Sequence, residues 1–406
     1  MRVLFLSRRF FPAISGMSVY ALNLLRQLVA AGHDVTMLSQ YRGDALGTRI
    51  YGGGPPPEVP GVRVIGLRSF GEEIEGEADF ERDVQAMVDA VLADHARAPF
   101  DVLHAQYGYP TGWAALLAAR QIGVPVVVSI QGGDGHWVGS CCETHRQAML
   151  RVLNHAGRLL IGCDSFSREV AERLGVSRDR FTIVPGAVDV AEFFPPAERK
   201  AGDPVRLFYH GRVDRRKGAL DFLDALALLR QQGVAFAATI SGIGPDLEAC
   251  RDRDAALGLH TRFAGYADYA AAPALYREQD VFVSPTYAEG FSNTVLEAMA
   301  SGLACVSCTA VGVVDCLRHG ENGLLGAPGD VPALAANLRL VIEDAALRER
   351  LAAAALAECR ATYSWEVVGR QIMATYEDLR HDAPEVGFDP ALPMEPCRFR
   401  AAPHLL

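Results

Sequence analysis

Residues 289–304 read Glu289-Gly-Phe-Ser-Asn-Thr-Val-Leu-Glu297-Ala-Met-Ala-Ser-Gly-Leu-Ala304, and this stretch decides the fold. The short apolar run before it, Asp280-Val-Phe-Val-Ser-Pro285, predicts a strand that ends in a turn. After it, residues 295–300 predict a helix whose cap is Ser292 or Asn293. The stretch is therefore the connecting loop and the helix of a strand–helix unit.

Two carboxylates frame this unit. Glu289 falls on the loop at the carboxyl end of the strand, and Glu297 falls in the first turns of the helix. Open α/β sheets bind ligands at that edge, and the free backbone N–H groups of a helix N-terminus favour phosphate. Because carboxylates accept hydrogen bonds from hydroxyls, the pair indicates a polyhydroxylated ligand that also carries phosphate.

A basic loop lies earlier in the same half of the chain. The segment His210-Gly211-Arg212-Val-Asp-Arg-Arg-Lys217-Gly218 follows a predicted strand and opens a predicted helix. Arg212 can hold phosphate oxygens bidentately, and Lys217 adds a point charge. Together they predict a site that neutralises a diphosphate leaving group without a metal ion.

Two glycine turns also follow predicted strands. Gly16, in Phe10-Phe-Pro-Ala-Ile-Ser-Gly16-Met-Ser18, lies near a helix start, where a glycine lets the backbone approach phosphate closely. This is not the dinucleotide fingerprint G-x-G-x-x-G. Gly242, in Ser241-Gly-Ile-Gly-Pro245, makes a tight turn that either underlies a nucleoside or is only a turn.

Strand and helix patterns alternate along both halves of the chain. Apolar runs such as 2–7, 34–39 and 125–130 alternate with helical patterns such as 19–31 and 80–96, which predicts a parallel sheet with helices on both faces. The alternation breaks at a Pro- and Gly-containing segment and then restarts. We therefore expect an α/β fold of two doubly wound, Rossmann-like domains facing across a cleft. The expected ranges are domain 1–194, linker 195–204, domain 205–363, a last helix 364–380 and a tail 381–406, with 51–60 as a loop.

The composition excludes several classes of protein. The net charge of −10 over 406 residues argues against a general nucleic-acid binder. No uncharged apolar run reaches the roughly 18 residues of a membrane-spanning helix. Residues 1–7 resemble a signal peptide only superficially, because Arg8-Arg9 interrupts the apolar part, and they are better interpreted as a buried first strand.

The positions of the cysteines and arginines bear on the cellular compartment of the protein. The nine cysteines are scattered and odd in number, which indicates a reducing cytoplasm. Cys305-Val-Ser-Cys308 lacks a second pair at zinc spacing, and Cys141-Cys142 is likewise interpreted as packing. Solvated helix faces are the leading interpretation of a set of first-half arginines, with a peripheral contact at the inner membrane face left open. These are Arg146, Arg151, Arg158, Arg168 and Arg173.

The four motifs, in this order, resemble glycosyltransferase family 4, whose members are retaining, nucleotide-sugar-dependent enzymes with the GT-B fold. The resemblance spans about residues 2–379, and its most specific part is the E-x7-E segment with Ala-Met-Ala-Ser-Gly. It implies that the helix from Trp365 crosses back to the first domain. It also implies that Arg212 and Lys217 hold the donor diphosphate.

The resemblance assigns roles to further positions. Glu297 matches the glutamate that binds the nucleoside ribose, Glu289 the one that contacts the donor sugar, and Gly16 the loop that closes over the donor. Candidate catalytic residues are Arg212, Lys217 and Glu289. Candidate donor-binding residues are Gly16, Gly211, Gly242, Gly290, Phe291, Ser292, Asn293, Thr294 and Glu297.

The chain departs from the family pattern on the acceptor side. Where the family often carries a histidine after the strand 126–130, this sequence has Gln131. Asp134 and His136 follow it closely and join it as acceptor-side candidates, although a histidine beside Trp137 also fits a structural role.

The expected reaction moves a sugar from a nucleotide-diphosphate sugar to a hydroxyl acceptor with retention, using no metal ion and no cofactor. The acceptor class stays open between a sugar, a lipid-linked molecule and a natural product, as does the oligomeric state. The alternatives are a nucleotide-sugar epimerase and a non-catalytic nucleotide-sugar-binding protein. Asp252-Arg-Asp254 spells a metal-binding D-x-D, but its charged helical context favours a solvated face.

Overall fold

The computed structural model describes residues 1–11, 15–41, 57–70, 80–197 and 204–397. The described residues form two compact units, one within 1–185 and 368–397 and the other within 186–367. Most of the predicted loop 51–60 and of the predicted linker 195–204 lies outside the described residues. In the described part of the chain, no helix is both long and apolar enough to cross a membrane.

The first unit is built on a seven-stranded sheet in which every described strand pair is parallel. Its strands are β1 Arg2–Ser7, β2 Asp34–Tyr41, β3 Val62–Arg68, β4 Val102–Gln106, β5 Val126–Ile130, β6 Arg158–Ile161 and β7 Phe181–Ile183. They lie in the order β3-β2-β1-β4-β5-β6-β7. The prediction that the N-terminal segment is a buried strand is confirmed, since Val3 to Leu6 are fully buried in the middle of this sheet.

Helices connect these strands. They are α1 Gly16–Ala30, α2 Phe80–Arg97, α3 Trp113–Ile122, α4 Gly132–His136, α5 Glu143–His155 and α6 Asp164–Leu174. The short helix α4 is absent from the sequence prediction, because a Gly-Gly-Asp-Gly stretch carries no apolar period.

The second unit repeats the arrangement with six parallel strands. They are β8 Val205–His210, β9 Phe236–Ser241, β10 Arg262–Gly265, β11 Val281–Ser284, β12 Ala304–Cys308 and β13 Leu324–Gly326, in the order β10-β9-β8-β11-β12-β13. Its helices are α7 Ala219–Gln231, α8 Leu247–Leu257, α9 Ala272–Arg277, α10 Asn293–Ala300, α11 Val331–Glu343 and α12 Ala345–Thr362. The last helix, α13 Trp365–Leu379, belongs to the first unit from Val368 onward.

In both units the strand order reverses at one place, where chains leave neighbouring strands in opposite directions. That place lies between β1 and β4 in the first sheet and between β8 and β11 in the second. Open α/β sheets leave a crevice there, outside the carboxyl ends of the strands. The fold therefore marks one candidate ligand position in each unit.

Residues 186–194 pack with the second unit, whereas the sequence predicts them as the end of the first domain. The Val188 N–H donates to the Tyr363 carbonyl at 2.9 Å. Phe193 is buried against the ring of Tyr276, with centroids 5.6 Å apart. A boundary judged from Pro and Gly content misses these contacts, because they depend on residues far along the chain.

The C-terminal segment is strapped onto the first unit. In α13, the Tyr376 hydroxyl lies 2.5 Å from His104 Nδ1 in β4, and both side chains are buried. Beyond it, the Phe388 ring packs on Trp113, and Arg151 donates to the carbonyl oxygens of Asp389 and Ala391. One of the arginines interpreted as solvated therefore holds the tail.

Candidate active site

The basic loop after β8 is organised by one buried carboxylate. Asp214 lies 3.1 Å from Arg212 Nε and 3.4 Å from Arg216 Nη2, and its other oxygen accepts the Lys217 N–H at 3.0 Å. Asp214 is 5% exposed, whereas both arginine side chains are 56% exposed. Pairing through Nε leaves the outer nitrogens of Arg212 facing solvent, available for a bidentate anion.

The loop after β11 is tied to this basic loop. The carbonyl of Arg216 accepts the Tyr287 N–H at 2.8 Å and the Thr286 hydroxyl at 3.2 Å. Gly218 has φ +70°, and a Cβ there would lie 2.1 Å from the Pro285 carbonyl oxygen. The close approach of the two loops thus requires glycine at position 218.

This connection brings together two of the predicted catalytic side chains, 72 residues apart in sequence. Lys217 Nζ lies 2.5 Å from Glu289 Oε1, and the side chains are 32% and 14% exposed. The Glu289 N–H also donates to Val311 at 3.0 Å, which fixes the backbone of the carboxylate. Because Lys217 has three N–H donors, the ion pair leaves donors for a further anion.

The segment between Glu289 and α10 presents the N-terminus of that helix. Ser292 is its N-cap and is 1% exposed, and its side chain makes no capping hydrogen bond among the described residues. The first N–H groups of a helix lack intrahelical acceptors, so Asn293 and Thr294 offer donors to a ligand. Phe291 packs on Tyr363, with centroids 5.6 Å apart, and holds the segment against α12.

Glu297 is buried one turn into α10. It is 8% exposed, and its Oε2 accepts the Tyr276 hydroxyl at 2.8 Å. Burial raises the pKa of Glu297 to about 7, although the Tyr276 hydrogen bond acts in the opposite direction. A carboxyl group that titrates near neutrality in a sheet-edge site is typical of functional positions.

His210 is a residue that the sequence motif includes but assigns no role. It ends β8, stacks on Phe208 and meets the Tyr276 ring at a centroid distance of 5.5 Å. Burial lowers its pKa to about 4, and its Nδ1 has no hydrogen-bond partner within the described ranges. A buried ring nitrogen next to the partner of Glu297 is a further candidate for ligand contact.

Gly242 is required by packing. It has φ +139°, and a Cβ there would lie 1.8 Å from the Gly211 carbonyl oxygen. The turn after β9 therefore lies against the start of the basic loop. A glycine at position 242 allows this close approach to the Gly211 backbone. Whether either glycine also touches a nucleoside stays a prediction.

The acceptor-side candidates and Gly16 lie in the first unit. Gly16 is the exposed first residue of α1, and Ser15 caps that helix by accepting the Ser18 N–H at 3.2 Å. Gln131 is the N-cap of α4, and its Oε1 is buried without a partner in the described part of the chain. These two positions are compatible with ligand contact.

Asp134 and His136 are engaged in structural contacts. Asp134 is fully buried and accepts the backbone N–H groups of Gly108 at 2.5 Å and Tyr109 at 3.5 Å. Burial raises its pKa to about 8, against the lowering effect of those bonds. His136 Nδ1 lies 2.9 Å from Glu169, and its ring packs on Phe166. This geometry favours the structural role for both residues.

The D-x-D motif at residues 252–254 is explained by structural contacts. Asp252 is exposed, but Asp254 is 8% exposed and accepts the Thr261 N–H at 3.1 Å. The interpretation of this stretch as a solvated face is therefore wrong for Asp254, whose carboxylate holds the turn after α8.

Each half of the chain matches a known family model. The family model "Glycosyl transferase 4-like domain" matches residues 15–187, and "Glycosyl transferases group 1" matches residues 190–357. A phosphatidyl-myo-inositol mannosyltransferase of Mycobacterium tuberculosis is 31% identical, covering 90% of this chain and 94% of that protein. A glycogen synthase of the same organism is 29% identical, covering 93% and 94%.

A solved structure shows the same architecture. HepE of Anabaena, crystallised in complex with UDP, superposes with a TM-score of 0.74 at 16% identity, covering 93% of this chain and 100% of that one. At this identity the likeness speaks for the fold, which is GT-B.

Proposed function

This chain belongs to glycosyltransferase family 4, and from that premise we propose that it transfers a sugar from a nucleoside diphosphate sugar to a hydroxyl acceptor with retention of the anomeric configuration. The observation that carries the proposal is the contact of Lys217 with Glu289 beside Arg212, at the carboxyl ends of β8 and β11. Cationic and sugar-binding groups meet there at one sheet edge.

Each side chain takes a role that suits its surroundings. The exposed guanidinium of Arg212 and the Lys217 ammonium bind the diphosphate and absorb the charge that develops as it leaves. The N-terminus of α10 adds backbone donors for a phosphate or sugar oxygen. Glu289 accepts from a donor-sugar hydroxyl, and Glu297 accepts from a ribose hydroxyl. Asp214 is a positioning residue that orients the basic loop.

The bond changes balance without a covalent enzyme intermediate. The bond from the anomeric carbon to the diphosphate oxygen breaks, and the acceptor oxygen bonds to the same face of that carbon. The acceptor's proton passes to the departing diphosphate. Glu289 and Glu297 lie on one loop–helix segment, and Glu297 is held by Tyr276, which does not suit acid and base roles on opposite faces of a sugar.

Two features support a diphosphate site that needs no divalent metal. Arg212 and Lys217 supply the positive charge, and the basic loop also carries Arg216. The acceptor class is proposed more broadly as a hydroxyl of a sugar or of a lipid-linked molecule, since the two relatives are a glycogen synthase and a phosphatidyl-myo-inositol mannosyltransferase.

The test measures nucleoside diphosphate release from UDP-, GDP-, ADP- and dTDP-sugars with sugar and lipid-linked acceptors. Wild-type protein should turn over one nucleotide class equally well with and without added Mg²⁺ or Mn²⁺. Arg212→Ala should lose roughly 10²-fold or more in turnover, and Arg215→Ala, an exposed neighbour in the same loop, should lose little.

The anomeric configuration of the product, read from its proton coupling by NMR, tests retention. An inverted product would overturn the proposed stereochemistry, and strict dependence on added Mg²⁺ would overturn the metal-free diphosphate site. Normal turnover in Arg212→Ala would remove Arg212 from the mechanism.

A further inference from the structure

Four side chains with metal-binding atoms converge in the first unit, outside the candidate active site. They are Cys141, Cys142, His145 and Cys397, and their ligand atoms all lie within 4.8 Å of one another. His145 and Cys397 are buried, and the other two are half-buried. The sequence interpretation of Cys141-Cys142 as plain packing did not foresee this cluster, because Cys397 is 252 residues from His145.

The spacing of the atoms fits one tetrahedral ion. Zn²⁺ binds thiolate sulfur at about 2.3 Å and imidazole nitrogen at about 2.0–2.1 Å, which places sulfur and nitrogen about 3.5 Å apart in a tetrahedron. His145 Nδ1 lies 3.0 Å from Cys141 Sγ and 3.8 Å from Cys397 Sγ, on either side of that value. A small shift of the sulfurs would therefore complete the geometry.

Local structure presents three of the four ligands from one turn. Cys142 is the N-cap of α5, and its sulfur accepts the His145 N–H at 3.4 Å. A helix N-terminus and an N–H donor both favour the thiolate that a metal requires. His145 follows three residues later, and its ring is fixed against Tyr109 at a centroid distance of 4.6 Å.

The tail delivers the fourth ligand in a defined position. Thr144, inside the first turn of α5, donates to the Pro393 carbonyl at 2.6 Å and accepts the Glu395 N–H at 2.9 Å. These bonds hold the tail at the start of α5, two residues before Cys397. Cys397 is 8% exposed as a result.

We propose that Cys141, Cys142, His145 and Cys397 bind one structural Zn²⁺ ion, which fastens the C-terminal tail to the start of α5. A Cys₃His set is soft and tetrahedral, which selects zinc over magnesium or calcium. Four protein ligands leave no open position, so the ion serves structure and not sugar transfer. The proposal does not depend on the proposed function, since none of its ligands belongs to the candidate active site.

The first test measures bound metal on full-length protein purified without chelator under reducing conditions. Elemental analysis should find about one zinc per chain in the wild type, and Co²⁺ exchange should produce sulfur-to-cobalt charge-transfer absorption. Cys397→Ser should lose most of the zinc. Cys163→Ser, a buried cysteine of the same unit outside the cluster, should retain it.

A second readout follows the tail itself. Removing zinc with a strong chelator should speed proteolytic cleavage after α13 severalfold, and re-adding zinc should restore protection in the wild type but not in Cys397→Ser. Cys397 follows the last helix, so its loss leaves both sheets intact and the variant remains interpretable.

Three outcomes would overturn the proposal. One is wild-type protein that neither retains nor takes up zinc, and another is a zinc content that Cys397→Ser leaves unchanged. The third is a disulfide between Cys397 and Cys141 or Cys142, detected by mass under non-reducing conditions in protein that binds no zinc.

Discussion

The two sheets share a strand order, but the chemistry at their reversal points differs. At the end of β11, Glu289 faces Lys217, and exposed arginines lie beside them. At the corresponding place after β4, the nearby carboxylate of Asp134 is fully buried and bound to two backbone N–H groups. Topology thus marks both positions, and the hydrogen-bond partners of the side chains decide which one keeps charge available for a ligand.

This difference in exposed charge is the reason why we propose that the second unit binds the sugar donor. Its loops are tied together through backbone groups, such as the Arg216 carbonyl and the Tyr287 N–H, which leaves charged side chains at the surface. In the first unit the buried Asp134 carboxyl group itself bonds to the turn, and no exposed cation of the kind that surrounds Asp214 in the second unit is bonded to it among the contacts described. Because Asp134 is fully buried, its oxygens are not exposed to an acceptor molecule.

The largest effect is expected from breaking the charged pair of the second unit. Lys217→Ala should lower turnover roughly 10²-fold or more, because it removes a cation that stabilises the leaving diphosphate. Arg215→Ala serves as the matched control in the same loop. Steady-state nucleotide release measures both, and equal turnover in the two variants would erase the contrast between the units.

Glu297→Gln should separate stability from binding. Above about pH 7 the buried Glu297 carboxyl group of the wild type is ionised, which costs stability. The free energy of unfolding of Glu297→Gln should therefore be about 1–3 kcal/mol higher than that of the wild type, while its affinity for the donor falls. The raised pKa means that the wild type is stabilised by protonation at low pH and loses that stability as pH rises from about 4.5 to about 7.

The stability gap between Glu297→Gln and the wild type should therefore shrink as pH falls through this window. Urea unfolding from pH 5 to 8 measures the gap, and donor titration measures the affinity. A variant that binds donor normally would show that Glu297 is only a structural partner of Tyr276.

Asp134→Ala should behave as a structural change in the first unit. It removes the carboxyl group that accepts the buried N–H groups of Gly108 and Tyr109, and it should lower the free energy of unfolding by about 1–3 kcal/mol. Below the unfolding temperature, the KM for the acceptor should stay near the wild-type value. Unchanged stability with a raised acceptor KM would instead place this carboxylate in the acceptor site.

The smallest stability effect is expected at Gln131. Its Oε1 has no hydrogen-bond partner in the ranges that the structure describes, so Gln131→Ala should change the free energy of unfolding by about 0.5 kcal/mol or less. A change in acceptor KM at unchanged stability would identify it as an acceptor contact. Large destabilisation would show that the side chain is structural, as at Asp134.

Sequence reasoning reached the parts of the molecule that depend on local pattern. The strand before Glu289 and the basic loop from Gly211 to Lys217 were predictable, because apolar runs and turn residues indicate their positions to within a few residues. The sequence placed Lys217 and Glu289 at the carboxyl ends of parallel strands, but the ion pair between them is a finding of the structure.

What the sequence could not show depends on contacts between distant segments. Asp134 accepts a hydrogen bond from a turn 26 residues earlier, and Glu297 is held by Tyr276 from the preceding helix. Cys397 reaches His145 only because the tail hydrogen-bonds to Thr144. Neither periodicity nor motif spacing carries this information, since each contact requires the folded backbone.

The central claim is that the second unit binds the donor through its charged sheet edge, and a donor-binding titration tests it most directly. UDP-, GDP-, ADP- and dTDP-sugars are titrated by thermal shift into wild type, Lys217→Ala and Arg215→Ala. At about 100 times its Kd, one nucleotide class should stabilise the wild type and Arg215→Ala by roughly 2.7 kcal/mol and Lys217→Ala far less. Equal stabilisation of all three proteins, or of none, would contradict the account.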